Sequence, residues 1–224
     1  MNNTNDIVIY GAGGLGRGIA DLILSINKYN ADKWNLIGFI DDYQDNTEIN
    51  GLKLLGGIDY LLKYREKINV VLAFGSPEIK IKLYKELKPF KNFRFPNLIH
   101  PAVEYPSHFI IGEGNIVSKG VVFSSNIEVG NFNLIHYNCS IGHDVTIGNF
   151  NSIFPLSSLS GYVSISDSIQ IGTNTSIIPS IKVDNNSIIG AGSTIINNIR
   201  KGSTVVGVPG KEISNIYESK QSKC

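Results

Sequence analysis

The residue with the best claim to chemistry in this 224-residue chain is His143, followed directly by Asp144. An imidazole titrates near neutrality, so it can take the proton from an attacking amine or hydroxyl. An acidic neighbour can orient the ring and favour its protonated form. Consecutive residues of a straight strand face opposite ways, so Asp144 helps only where the chain bends. On residue types alone, a solvated surface histidine is an equal reading. His136 competes as base or as substrate contact, whereas His100 and His108 fall in a connecting segment and read as solvated surface groups.

A second group of residues lies near the amino terminus. IVIY (7–10) runs into GAGGLG, where Gly11, Gly13 and Gly16 have the G-x-G-x-x-G spacing. Such a turn lets a phosphate approach the amino terminus of the following helix. LIGFI (36–40) ends in Asp41 and Asp42, at the place where an acidic residue accepts hydrogen bonds from a ribose or base. VVLAF (70–74) ends at Gly75-Ser76, and Pro77 opens a helix. Three such strand ends on one edge suit a nucleotide-type ligand, with a purely structural turn as the alternative. NAD is the rival ligand, but the segment has room for only about half of a doubly wound dinucleotide fold. No Cys/His/carboxylate spacing suggests a metal site, and neither a G-x-S-x-G elbow nor a carboxylate pair stands out.

The element that positions His143 is a repeat. From Ile111 to Ile195 every sixth residue is aliphatic, except Phe123, without a break in register. A period of six excludes an amphipathic helix, and ordinary hairpins would not hold it. Three hexads per triangular coil explain it, with one aliphatic side chain inward on each flat side. The fold class is therefore α/β plus β: a small Rossmann-like βαβαβ domain followed by a left-handed parallel β-helix. Fifteen hexads make five coils, a prism about 24 Å tall. His143 is third in its hexad and should face outward. Residues 18 apart stack, so Gly161 lies over His143 and leaves a gap where a thioester could enter. Cys139 is fifth in its hexad and reads as core. The flat faces suit packing into a homotrimer.

Composition bounds the rest. A net charge of +1, from 20 basic and 19 acidic residues, gives no reason to expect nucleic acid as partner. Two cysteines, Cys139 and the terminal Cys224, make no disulfide framework. The polar MNNTND start and the lack of a long apolar run argue against a signal peptide and membrane insertion, so the expected location is the cytoplasm. The expected divisions are a nucleotide-sugar-binding domain over 1–98, the β-helix over 99–212 and a tail over 213–224.

IVIYGAGGLG, the Asp41-Asp42 pair, FGSPEIK, NCSIGHDVTIGNF and GVPGK (207–211) together resemble the sugar acyltransferases grouped with sialic-acid O-acetyltransferases and bacillosamine-pathway N-acetyltransferases. The resemblance spans nearly the whole chain. It implies acetyl transfer from acetyl-CoA, often to a nucleotide-linked sugar. It places the general base at His143 and its acidic neighbour at Asp144. It puts nucleotide-sugar contacts on Gly13, Gly14, Leu15, Asp41, Asp42 and Gly75, and acetyl-CoA contacts on Ser152, Gly161, Thr173 and Ala191. Leu15 stands where many members have His, His136 where some have a sugar-contacting Asn, and Ser152 where a His lies near the thioester. The implied activity is N-acetylation of a nucleotide-linked amino sugar, with O-acetylation of a sugar hydroxyl or an inactive nucleotide-binding module as alternatives.

Overall fold

The structure is a computed structural model that describes residues 5–30 and 33–216. The chain divides into two compact units, Met1–Pro101 and Ala102–Cys224. Cys224 and residues 217–224 of the expected tail lie outside the described residues.

The first unit is built on the buried strands expected from the apolar runs. Its elements are β1 (Asp6–Tyr10), α1 (Gly14–Tyr29), β2 (Asn35–Ile40), β3 (Glu48–Ile49), β4 (Leu52–Lys53), α2 (Ile58–Lys63), β5 (Ile68–Leu72), α3 (Pro77–Leu87) and β6 (Phe93–Arg94). The main sheet runs β2-β1-β5-β6, all parallel, so the carboxyl ends of β1, β2 and β5 share one edge. The short fourth strand and the β3–β4 hairpin lie beyond what apolar runs of four or five residues reveal. Gly11 has φ +106°, and a Cβ on Gly16 would fall onto the Gly11 carbonyl, so α1 can start only if position 16 is glycine.

The second unit is a parallel β-helix of the left-handed type, with about six turns. Face 1 stacks the strands at 109–111, 127–129, 146–147, 164–165 and 182–183. Face 2 stacks those at 116–117, 134–135, 152–153, 170–171 and 188–189, and face 3 those at 122–123, 140–141, 158–159, 176–177 and 194–195. Every sixth residue from Val117 to Ile195 is buried, while Ile111 on the open first rung is half-buried. The structure adds a turn to the expected five. After Ile195 the spacing contracts: Ile199 bridges to Val183 and Val205 pairs with Ile189, each 16 residues on rather than 18. Strand Lys211–Asn215 then pairs antiparallel with Ser203–Val206, so regular structure continues past the expected start of the tail at 213.

The corners share one device. The fourth residue of hexad after hexad, from Asn126 through Asp144 and Tyr162 to Asn186, has φ between 56° and 65°. The left-handed conformation turns the chain through each vertex. The corner between faces 1 and 2 is stiffened by a buried ladder: the Asn133 and Asn151 backbone N–H groups donate to the Asn115 and Asn133 side chains, both at 2.9 Å. Phe132 and Phe150 stack beside it, with centroids 5.1 Å apart.

Candidate active site

His143 stands at the corner between faces 3 and 1, just after the strand Ser140–Ile141. Its side chain is half-exposed, as its place in the hexad requires. Asp144 has φ +56°, so the chain bends at this residue and the two side chains converge. His143 Nδ1 lies 2.8 Å from Asp144 Oδ2. Asn126, one coil below, donates from Nδ2 to the other Asp144 oxygen at 3.0 Å. These hydrogen bonds, that from His143 first and that from Asn126 next, hold the Asp144 carboxyl below the usual range. The carboxylate therefore stays ionised, and Nδ1 carries the proton that faces it. Nε2 is left as the free nitrogen.

Gly161 lies directly over His143, but the space above it is not open. A Cβ at position 161 would come within 2.5 Å of Nε2 and 2.6 Å of Cε1. The imidazole itself occupies the gap expected to admit a thioester. Glycine lets the ring lie along the column, and a side chain at 161 would displace it.

Tyr162, which the residue pattern did not single out, completes the group. Its ring stands perpendicular to the imidazole with centroids 5.0 Å apart. The one available signal was its place, 18 residues after Asp144 in the corner column.

His136 occupies the other corner of face 3, a full side of the triangle from His143. Its Nδ1 accepts the Tyr137 N–H at 2.9 Å, so the ring is neutral and its Nε2–H is the remaining donor. Burial lowers its pKa, which favours the same form. Thr173 and Ala191 are exposed and stack at the corner of His136, not at that of His143. Ser152 is fully buried on face 2. Cys139 is buried in the core, its Sγ 3.2 Å from the Phe154 carbonyl, and burial pushes its thiol up to about 11. It is packing, not a nucleophile.

In the first unit, the strand ends bring Gly13, Gly14, Leu15, Asp41, Asp42 and Gly75 to one edge. Gly13 and Gly14 are exposed at the start of α1. Both carboxylates also fasten the loops. Asp41 accepts from the Ala12 and Tyr43 N–H groups at 2.8 and 2.9 Å. Asp42 accepts from the Tyr10 hydroxyl at 2.5 Å and the Ile58 N–H at 2.8 Å. Gly75 precedes Ser76, whose hydroxyl accepts the Ile79 N–H and caps α3. Among the described residues no group of His, Cys, Asp or Glu could hold a metal ion, and no helix is long and apolar enough to cross a membrane.

Residues 6–87 match the PglD N-terminal domain. No curated protein matches the chain significantly. Among solved structures, the chain is similar to the acetyltransferase domain of PglB from Neisseria gonorrhoeae FA1090 in complex with acetyl coenzyme A, at 25% identity and TM-score 0.84, over 94% of this chain and 100% of that one. PerB from Caulobacter crescentus, in complex with CoA and GDP-perosamine, shares the fold at 21% identity and TM-score 0.81, over 93% and 97%. WeeI from Acinetobacter baumannii AYE does so at 24% and 0.83, over 92% and 99%. A PglD-type domain over residues 6–87 ahead of a hexapeptide β-helix makes the chain similar to the hexapeptide-repeat sugar N-acetyltransferases of the bacillosamine and perosamine type.

Proposed function

We propose that this acyltransferase moves an acetyl group from acetyl-CoA to the amine of a nucleotide-linked amino sugar, with His143 as general base. The observation that carries this reading is the His143 Nδ1–Asp144 Oδ2 contact of 2.8 Å, which engages Nδ1 and leaves Nε2 as the free ring nitrogen on an exposed corner. The similar PglB domain is complexed with acetyl coenzyme A and PerB with CoA and GDP-perosamine, which supports the same pair of substrates here. The acceptor amine attacks the thioester carbonyl carbon while Nε2 takes its proton. The tetrahedral intermediate then expels the thiolate, which recovers that proton from the imidazolium, leaving an amide and free CoA thiol. Asp144 orients the ring and offsets its transient charge.

The nucleotide part of the acceptor is assigned to the strand-end edge at Gly13, Gly14, Leu15, Asp41, Asp42 and Gly75, with His136 near the sugar. Thr173 and Ala191 are assigned to the coenzyme with Gly161 and Ser152, although the Ser152 side chain is buried within the chain. Because Thr173 and Ala191 stack at a different corner from His143, one site that uses both corners needs a neighbouring copy. This favours a homotrimer with coenzyme between β-helices. The enzyme would act in the cytoplasm.

The experiment is a thiol-release assay with acetyl-CoA across UDP-, GDP-, dTDP- and CMP-linked sugars, amino and non-amino. Turnover confined to amino sugars is expected. Turnover with hydroxyl-only sugars would establish O-acetylation instead. Absence of both turnover and acetyl-CoA binding would mark an inactive module.

A further inference from the structure

At the His143 corner the turning residues are Asn126, Asp144, Tyr162 and Ser180. Asn and Asp tolerate the left-handed conformation through local hydrogen bonding, whereas a bulky aromatic gains nothing from it. Tyr162 nevertheless has φ +62° and stays 59% exposed, so burial of its ring does not account for it. The aromatic corner residues Phe132 and Phe150 differ, because they stack on one another. What Tyr162 touches is the imidazole, at 5.0 Å and 89°. The left-handed backbone is common to every corner, Leu156 included, so the contact with the imidazole is what sets Tyr162 apart.

We propose that Tyr162 is a positioning residue for His143, its ring holding the imidazole flat over Gly161 so that Nε2 keeps one direction. The inference rests on the reading of His143 as base. Tyr162 thus acts through its ring, which sets the direction of Nε2.

The test combines kinetics with NMR of the His143 ring signals in the full-length protein. Tyr162→Phe keeps the ring, so kcat and the His143 ring signals should stay close to those of the parent protein. Tyr162→Asn removes the ring, so the His143 ring signals should move and kcat should fall about 10–10²-fold. It should at the same time raise Tm, because asparagine suits the left-handed corner. Loss of activity with a gain in stability is not what a merely structural residue would show. Unchanged His143 ring signals and kcat in Tyr162→Asn, or a fall in kcat as large in Tyr162→Phe, would overturn the proposal. If His143→Ala keeps full turnover, the base reading fails separately, and the His143 ring signals alone still judge whether Tyr162 holds the ring.

Discussion

Asp144 reaches back to His143 because Asp144 is the residue at which the chain turns. Its φ of +56° swings its carboxylate from the opposite side of the strand to within 2.8 Å of Nδ1. Two adjacent side chains that would diverge on a straight strand therefore become a hydrogen-bonded pair. The corner that ends a face of the prism also assembles the site.

The first prediction concerns the base. Removing a positioned base typically costs about 10²–10⁴-fold in rate. His143→Ala should lower kcat by that order and leave Tm unchanged, since the side chain is half-exposed and lies outside the core. His136→Ala, a full face away, should mainly raise the acceptor KM. Loss of turnover in His136→Ala, with normal turnover in His143→Ala, would show that the base lies at the other corner.

Gly161→Ala tests the seat of the imidazole. The added Cβ would lie 2.5 Å from Nε2, so the ring must move. The expected outcome is a fall in kcat of about 10–10²-fold in the thiol-release assay. Full activity would mean that the position of the ring over Gly161 does not matter to catalysis.

At the nucleotide edge, Asp42→Ala should raise the acceptor KM without weakening acetyl-CoA binding. It should also cost stability, about 1–3 kcal/mol, because the Tyr10 hydroxyl loses its acceptor. Tyr10→Phe separates the two effects, since it removes the contact and spares the carboxylate. A KM increase as large in Tyr10→Phe as in Asp42→Ala would assign Asp42 to loop support alone.

Lys80, inside FGSPEIK, is buried on the inner side of α3, and burial lowers its pKa to about 7. The folded state therefore favours the neutral amine. Its contribution is favourable above the unfolded pKa near 10.5 and is lost as pH falls through about 7. Stability should fall as pH is lowered across that window, with a slope approaching about 1.4 kcal/mol per pH unit. Lys80→Met should flatten this slope in urea unfolding at several pH values. An identical slope in the variant would mean that Lys80 keeps its charge on folding.

Much of this protein is determined by the sequence itself. Each rung buries the same residue in the same place, so the period of six alone dictates the solenoid, its core and the outward aim of His143. The strand-end positions of Gly13, Asp41 and Gly75 follow likewise from apolar runs that each stop at a turn. Other features depend on contacts between coils or on dihedral angles, which a linear pattern does not carry. The contraction to 16 residues beyond Ile195 adds a turn that a fixed period could not anticipate. Asn115, Asn133 and Asn151 carry no signal of their own in the sequence, and only stacking turns them into a ladder. The convergence of Asp144 on His143 needed a positive φ, and the separation of His136 from His143 needed the corners to be assigned. Tyr162 meets the imidazole only across a sequence separation of 19, a contact that exists because one coil lies on the next.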